Sequence, residues 1–147
     1  MLARQHLYLL EIYKMRMKLV NVRRKGSGFE REIASLIYDH LGVKVQRDLE
    51  QYRASDHGDL IGLEGWVIEC KRYKEQTNKE HRNVWWEQVY KASISLQQKP
   101  VLIYKYDRQP IRCVVLLSSI HCDYANQTYT ATMDFDAWCM VVRESLA

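Results

Sequence analysis

Asp59, Glu69 and Lys71 carry the charges at the two ends of an otherwise mostly apolar stretch running from Asp59 to Lys71. Carboxylates planted in a ribbon that is otherwise suited to burial are costly unless something compensates their charge, and a divalent cation is the natural compensator. The chemistry such a set supports is phosphodiester hydrolysis. Two or three carboxylates holding one or two Mg²⁺ ions can acidify a water and polarise a phosphate together. Mg²⁺ takes oxygen ligands and keeps several waters, so Asp59 and Glu69 with the backbone carbonyl of Cys70 form a sufficient set. Lys71 would orient the attacking water or neutralise charge developing on the phosphate.

These groups must converge, and that requirement constrains the local fold. The stretch reads as a hairpin in which Glu69 and Lys71, two apart on the second strand, share a face while Cys70 points away. A two-residue turn at Glu64–Gly65 would pair Asp59 with Cys70 and put it on the wrong face. A three-residue turn, Leu63 to Gly65 with Gly65 left-handed, pairs Asp59 with Glu69. The chemical reading therefore predicts an odd-length turn or a bulge before Trp66.

The other elements follow from periodicity. Residues 1 to about 22 place Leu7, Leu10, Tyr13, Met17 and Val20 at helical spacing, either as padding for the domain's own core or as an arm gripping a second subunit. Lys25-Gly-Ser-Gly28 reads as a break. Phe29 to Leu41 is a second helix, with Phe29, Ile33, Leu36, Ile37 and Leu41 as its apolar stripe and Gly42 as its stop. Ser27 and Glu30 match a capping box at its start, which is one reading of Glu30; a metal ligand is the other. Val43 to Arg47 alternates as a strand, and Asp48 to Gly58 reads as a loop with a candidate substrate contact at Ser55. His57 is either a proton carrier or phosphate contact, or a solvent-facing histidine. Asn78 to about Gln98 reads as a helix with Trp85 in its core stripe and Gln88 beside or behind it. Gln88 is either near the site or simply exposed. Val101 to Tyr106 and Ile111 to Leu117 read as strands, Gln127 to Thr132 as a short strand, and a final helix starts near Asp134. The order is that of an α/β fold, a central mixed sheet flanked by helices.

Composition agrees with one globular domain. The 147 residues are 47% hydrophobic and 27% charged, with a net charge of +4. No apolar run reaches the roughly 20 residues that cross a bilayer. The four cysteines sit in different segments with no C-x-x-C pair, so reduced thiols in a cytoplasm are expected rather than a disulfide or zinc framework. Basic residues cluster on both sides of the acidic centre, at Arg16 to Lys25 and again at Lys71, Arg72 and Lys74, as suits a polyanion brought to a metal.

Gly58-Asp59, a nine-residue interval and Glu69-Cys70-Lys71 together resemble the PD-(D/E)xK nuclease signature, with Gly58 where the family name has proline. The run Lys25-Gly-Ser-Gly-Phe-Glu30-Arg-Glu-Ile resembles the first helix of archaeal-type Holliday junction resolvases, which supplies a further acid. The resemblance covers about Lys25 to Leu117. It implies a restriction-endonuclease-like core over residues 25–147 with a helical extension at 1–24. It implies catalytic Glu30, Asp59, Glu69 and Lys71, and a Mg²⁺ site (Mn²⁺ substituting) built from Glu30, Asp59, Glu69 and Cys70. Arg47 and Ser55 fall where those resolvases carry an arginine and a substrate-loop serine. With Arg24, Lys25, Ser27, Arg72 and Lys74 they make the expected DNA-binding set, and Gln88 and His57 are accessory candidates. It further implies a cytoplasmic homodimer acting on branched DNA, because a four-way junction must be cut symmetrically on two strands. The alternatives are another nuclease of the superfamily, for repair or restriction, or a non-catalytic DNA binder on the same scaffold.

Overall fold

The computed structural model of the chain describes residues 2–49, 58–75 and 77–146, with the side chains among them except those at 2, 3, 6 and 19–25. Among these residues the order is α1 (Leu2–Leu41), β1 (Gln46–Arg47), β2 (Leu60–Ile61), β3 (Trp66–Tyr73), α2 (Asn83–Leu96), β4 (Lys99–Tyr106), β5 (Arg112–Leu116), β6 (Thr130–Asp134) and α3 (Phe135–Leu146). The six strands form one sheet in sequence order. Only β3 and β4 run parallel, joined through α2, and the other neighbours are antiparallel. This is the expected α/β arrangement around a mixed sheet.

Alternation along the strands separates two apolar layers. On one face Ile68, Cys70, Ile103 and Val115 pack with Phe29, Ile33 and Ile37 of α1 and with Trp138 and Val142 of α3. On the other, Val67, Leu102, Tyr104 and Val114 pack with Trp85, Val89 and Ala92 of α2. Asp134 caps α3 by accepting the Ala137 N–H at 2.8 Å, which is why that helix begins where the sequence suggested. Gly42, at φ 69°, ends α1 as expected.

Two expectations are corrected. The break at Lys25 to Gly28 does not occur: α1 is continuous over 40 residues, and Ser27 lies inside it rather than capping a second helix. The capping-box reading of Ser27 and Glu30 falls with the break. Two helical glycines cost about 1 kcal/mol each, and stopping and renucleating a helix costs more than that. α2 begins at Asn83 rather than Asn78. The carbonyls of Lys79 and Glu80, which would have been helical, instead accept the Tyr104 and Tyr106 hydroxyls at 3.1 and 2.7 Å. Cross-sheet tyrosines won over local helix propensity there.

Candidate active site

The hairpin has the odd register. Leu60 lies opposite Ile68, which fixes an odd register, and the turn closes where the Trp66 N–H donates to the Leu63 carbonyl at 3.3 Å across Glu64 and Gly65. Gly65 has φ 83°, a conformation that costs glycine nothing and other residues about 1 kcal/mol or more. There is also a bulge. The Asp59 N–H donates at 2.7 Å to the Ile68 carbonyl, the residue already opposite Leu60, so two residues of this strand face one of β3. The bulge turns the Asp59 carboxyl onto the β3 backbone, where Oδ2 accepts the Cys70 N–H at 2.7 Å.

Gly58 makes that approach possible. A Cβ at this position would stand 2.7 Å from the Ile68 carbonyl oxygen and 3.0 Å from Val67 Cγ1. Both neighbours belong to a central strand and cannot yield. Gly58→Ala is therefore expected to lower stability by about 2 kcal/mol and to displace Asp59. A thermal melt equal to wild type would refute the packing argument.

Glu69 is 2% exposed, on the face of β3 covered by α2, and Lys71 Nζ lies 3.2 Å from its Oε1. Asp59 and Glu69 stand close enough for each to shift the other's pKa. Burial raises both acids. Glu69 is pushed up to about 8 by desolvation and then by the charge of Asp59, with Lys71 opposing. Asp59 rises to about 6, again mainly by desolvation and helped by Glu30, against the pull of the Cys70 N–H and Lys71. Burial disfavours the ionised form of a carboxyl, and a cation held beside it would relieve that cost. The donor set is all oxygen and fits a hard divalent cation. The Cys70 thiol takes no part: it is buried in the layer under α1 and desolvation pushes its pKa up.

Glu30 reaches the site differently from the expectation. It is buried on α1, and its Oε2 accepts the Arg47 Nε at 2.5 Å. It is close enough to Asp59 to raise its pKa. However, Glu30, Asp59 and Glu69 do not close into a cluster with all ligand atoms within 4.8 Å of one another. Among the described residues, the group that does is His121, Cys122 and Asp123, exposed on a turn where His121 Nδ1 accepts the Asp123 N–H. Arg47→Ala leaves Glu30 buried without its guanidinium partner and is expected to cost about 3 kcal/mol, read by denaturant unfolding. A loss under 1 kcal/mol would show the pair to be dispensable.

The other sequence candidates are scattered. Arg72 lies 3.4 Å from Asp107 and 3.7 Å from Glu32, and Lys74 is exposed. Ser27 is half-buried on α1. Gln88 is exposed on α2, whose buried residues are Trp85, Val89, Ala92 and Ser93. Ser55 and His57, and the side chains of Arg24 and Lys25, lie outside the described residues. Sequence reading missed Asp48, which is 7% exposed and whose N–H donates to the Asp59 carbonyl at 2.9 Å. The only available signal was its place just after a strand, and the polar run that follows it concealed that.

A family model described as "Phage putative PDDEXK endonuclease" matches residues 21–139. Among solved structures, the Holliday junction resolvase Hjc of the archaeal hyperthermophile Archaeoglobus fulgidus superposes with a TM-score of 0.52 at 14% identity. The match covers 81% of this chain and 98% of that one. No curated protein sequence matches. At that identity the likeness to Hjc establishes the fold, a restriction-endonuclease-like α/β core. The family match spans most of the chain and takes in all four of Glu30, Asp59, Glu69 and Lys71, and so this protein belongs to the PDDEXK endonuclease family of phage type.

Proposed function

We propose that the protein is a Mg²⁺-dependent DNA endonuclease, with Mn²⁺ able to substitute, that prefers branched DNA and works as a homodimer in the cytoplasm of a host cell. The observation that carries this reading is the pair of buried acids Asp59 and Glu69 with Lys71 Nζ 3.2 Å from Glu69. Residues 25–147 would form the nuclease domain and residues 1–24 its helical extension.

Asp59, Glu69 and the Cys70 carbonyl would hold the cation, with Glu30 joining once Arg47 lets it go. When bound, the ion supplies charge neutralisation at the phosphate and a more acidic water. Lys71, anchored on Glu69 and partly open to solvent, orients the nucleophile and meets charge growing on the phosphate. Arg47, once released from Glu30, would meet a phosphate oxygen; its fork geometry suits that exchange. Arg72 and Lys74 at the end of β3 extend the positive path, joined by Arg24, Lys25, Ser27 and Ser55. Gln88 and His57 are accessory contacts.

The likeness to Hjc supports a junction substrate, whereas the family description supports only an endonuclease, so a nuclease for other DNA is the second reading. Cleavage of four-way junction, flap, duplex and single-stranded DNA in Mg²⁺ or EDTA decides between them. Nicking of branched DNA that EDTA abolishes is the expected result. Equal cutting of plain duplex would remove the branched preference, and binding without cutting in Mg²⁺ or Mn²⁺ would leave a non-catalytic binder.

A further inference from the structure

The helix that carries Glu30 extends far beyond the domain it serves. Its 40 residues run about 60 Å at 1.5 Å per residue. Of the described side chains between Arg4 and Lys18, all are exposed except the half-buried Ile12. These include Leu7, Leu10, Tyr13 and Met17, at 62, 42, 62 and 42%. So much apolar surface on one helix is unusual for a part that stays in water. Residues 1–20 also lie outside the family match, so the arm is an addition to the nuclease core.

Two partners compete for this surface. Residues 1–25 contain seven of the 22 Lys and Arg but one of the 18 Asp and Glu, which suits nucleic acid. The pattern of the apolar residues selects the other partner. Ala3, His6, Leu10, Tyr13, Met17 and Val20 follow at alternating steps of three and four, the seam of a coiled coil, and none of the arm's Lys or Arg falls on it. In a parallel, in-register pair the flanking positions that meet across the seam are Leu2 with Leu7, Leu9 with Lys14, and Arg16 with Asn21. No like charges face each other. A polyanion would leave this seam uncovered, whereas a second copy covers it along its whole length.

We infer that the arm is a dimerisation device, in which the Leu10–Tyr13–Met17 seam of one chain packs along the same seam of a second copy. Because Met17 and Glu30 stand on one uninterrupted helix, about 20 Å apart along its axis, pairing the arms also sets the spacing of two nuclease sites. Two strands of one DNA can then be cut in a fixed geometry. This inference rests on the two-subunit part of the reading above, not on its chemistry.

The test is the molar mass of the full chain in solution without DNA, by light scattering and sedimentation at micromolar concentration. Wild type is expected at twice the 17.5 kDa chain mass. The double variant Leu10→Glu/Met17→Glu is expected at one chain mass, its dimer dissociation constant raised by roughly 100-fold or more, with the melting temperature of the domain unchanged. The control Tyr8→Glu/Met15→Glu, on the other flank of the helix, should remain dimeric. A monomeric wild type overturns both the dimer and the arm. A dimer that survives Leu10→Glu/Met17→Glu, or one that Tyr8→Glu/Met15→Glu also dissociates, overturns the seam alone. DNA cleavage, measured in parallel, bears on the nuclease reading without reference to either outcome.

Discussion

Lys71→Ala is expected to lower the rate of DNA cleavage by at least ~10³-fold while leaving DNA binding within a few-fold of wild type. The side chain sits at the open side of the acid pair, its Nζ 3.2 Å from Glu69 Oε1, on a strand buried up to Cys70. It is held against Glu69 at the end of β3, where a phosphate would come to lie, and its loss removes stabilisation felt mainly as charge develops. Binding survives because Arg72, Lys74 and the basic residues of α1 remain. Asp59→Asn should fall as far through a different route. It keeps the hydrogen bond from the Cys70 N–H but removes the charge that fits a cation, so cleavage is lost with the fold intact. Single-turnover cleavage alongside gel-shift titration checks both variants. A Lys71→Ala protein that cuts within tenfold of wild type would remove this residue from the mechanism, and binding lost in step with cleavage would make it a DNA anchor.

The second large effect is on stability. Glu69 and Asp59 both titrate above their ordinary 4.5 and 3.8, near 8 and 6, because burial disfavours the ionised forms, with the charge of Asp59 adding at Glu69 and that of Glu30 at Asp59. A raised carboxyl pKa means that the folded state holds its protons longer than the unfolded chain does. This contribution to stability is complete below about pH 4 and is lost as the pH rises toward 8. Without divalent ions, Glu69→Gln, which mimics the protonated acid, should match wild type at pH 4.5. At pH 8 it should exceed wild type by on the order of 3 kcal/mol. Comparing the two proteins cancels the groups that titrate alike in both. Added Mg²⁺ should reverse the order at pH 8, since wild type gains the binding energy of the ion and the variant loses a ligand. The other charges acting on the pair are those of Glu30 and Lys71. Denaturant unfolding at several pH values, with EDTA and with Mg²⁺, measures this. Parallel pH curves for the two proteins would show that Glu69 is not a strained acid.

These two predictions rest on a site whose chemistry the sequence set out and whose assembly it constrained but did not complete. The types and spacing of Asp59, Glu69 and Lys71 required that they share a neighbourhood. From that alone came the odd register of the hairpin and the left-handed Gly65, because strand side chains alternate with period two and admit only one parity. The apolar runs of β3, β4 and β5 and the stripe Phe29–Ile33–Ile37 were legible for the same reason: a buried surface leaves a periodic trace.

What the sequence left open depended on contacts between distant segments. The bulge at Asp59 exists because Gly58 lets the chain lie against the Ile68 carbonyl, a proximity with no local signature. Glu30 was identified as an acid of the site, but its pairing with Arg47, seventeen residues away, follows from how α1 lies against β1. The start of α2 was set by two tyrosine hydroxyls more than twenty residues downstream. The Lys25–Gly28 glycines marked a break that the fold did not use, since their cost is small beside the helix continuing on both sides. That continuity decides what the arm is. Local propensity placed a helix on each side of the glycines, and only the tertiary structure showed them to be one rod with the nuclease core at one end and an uncovered apolar seam at the other.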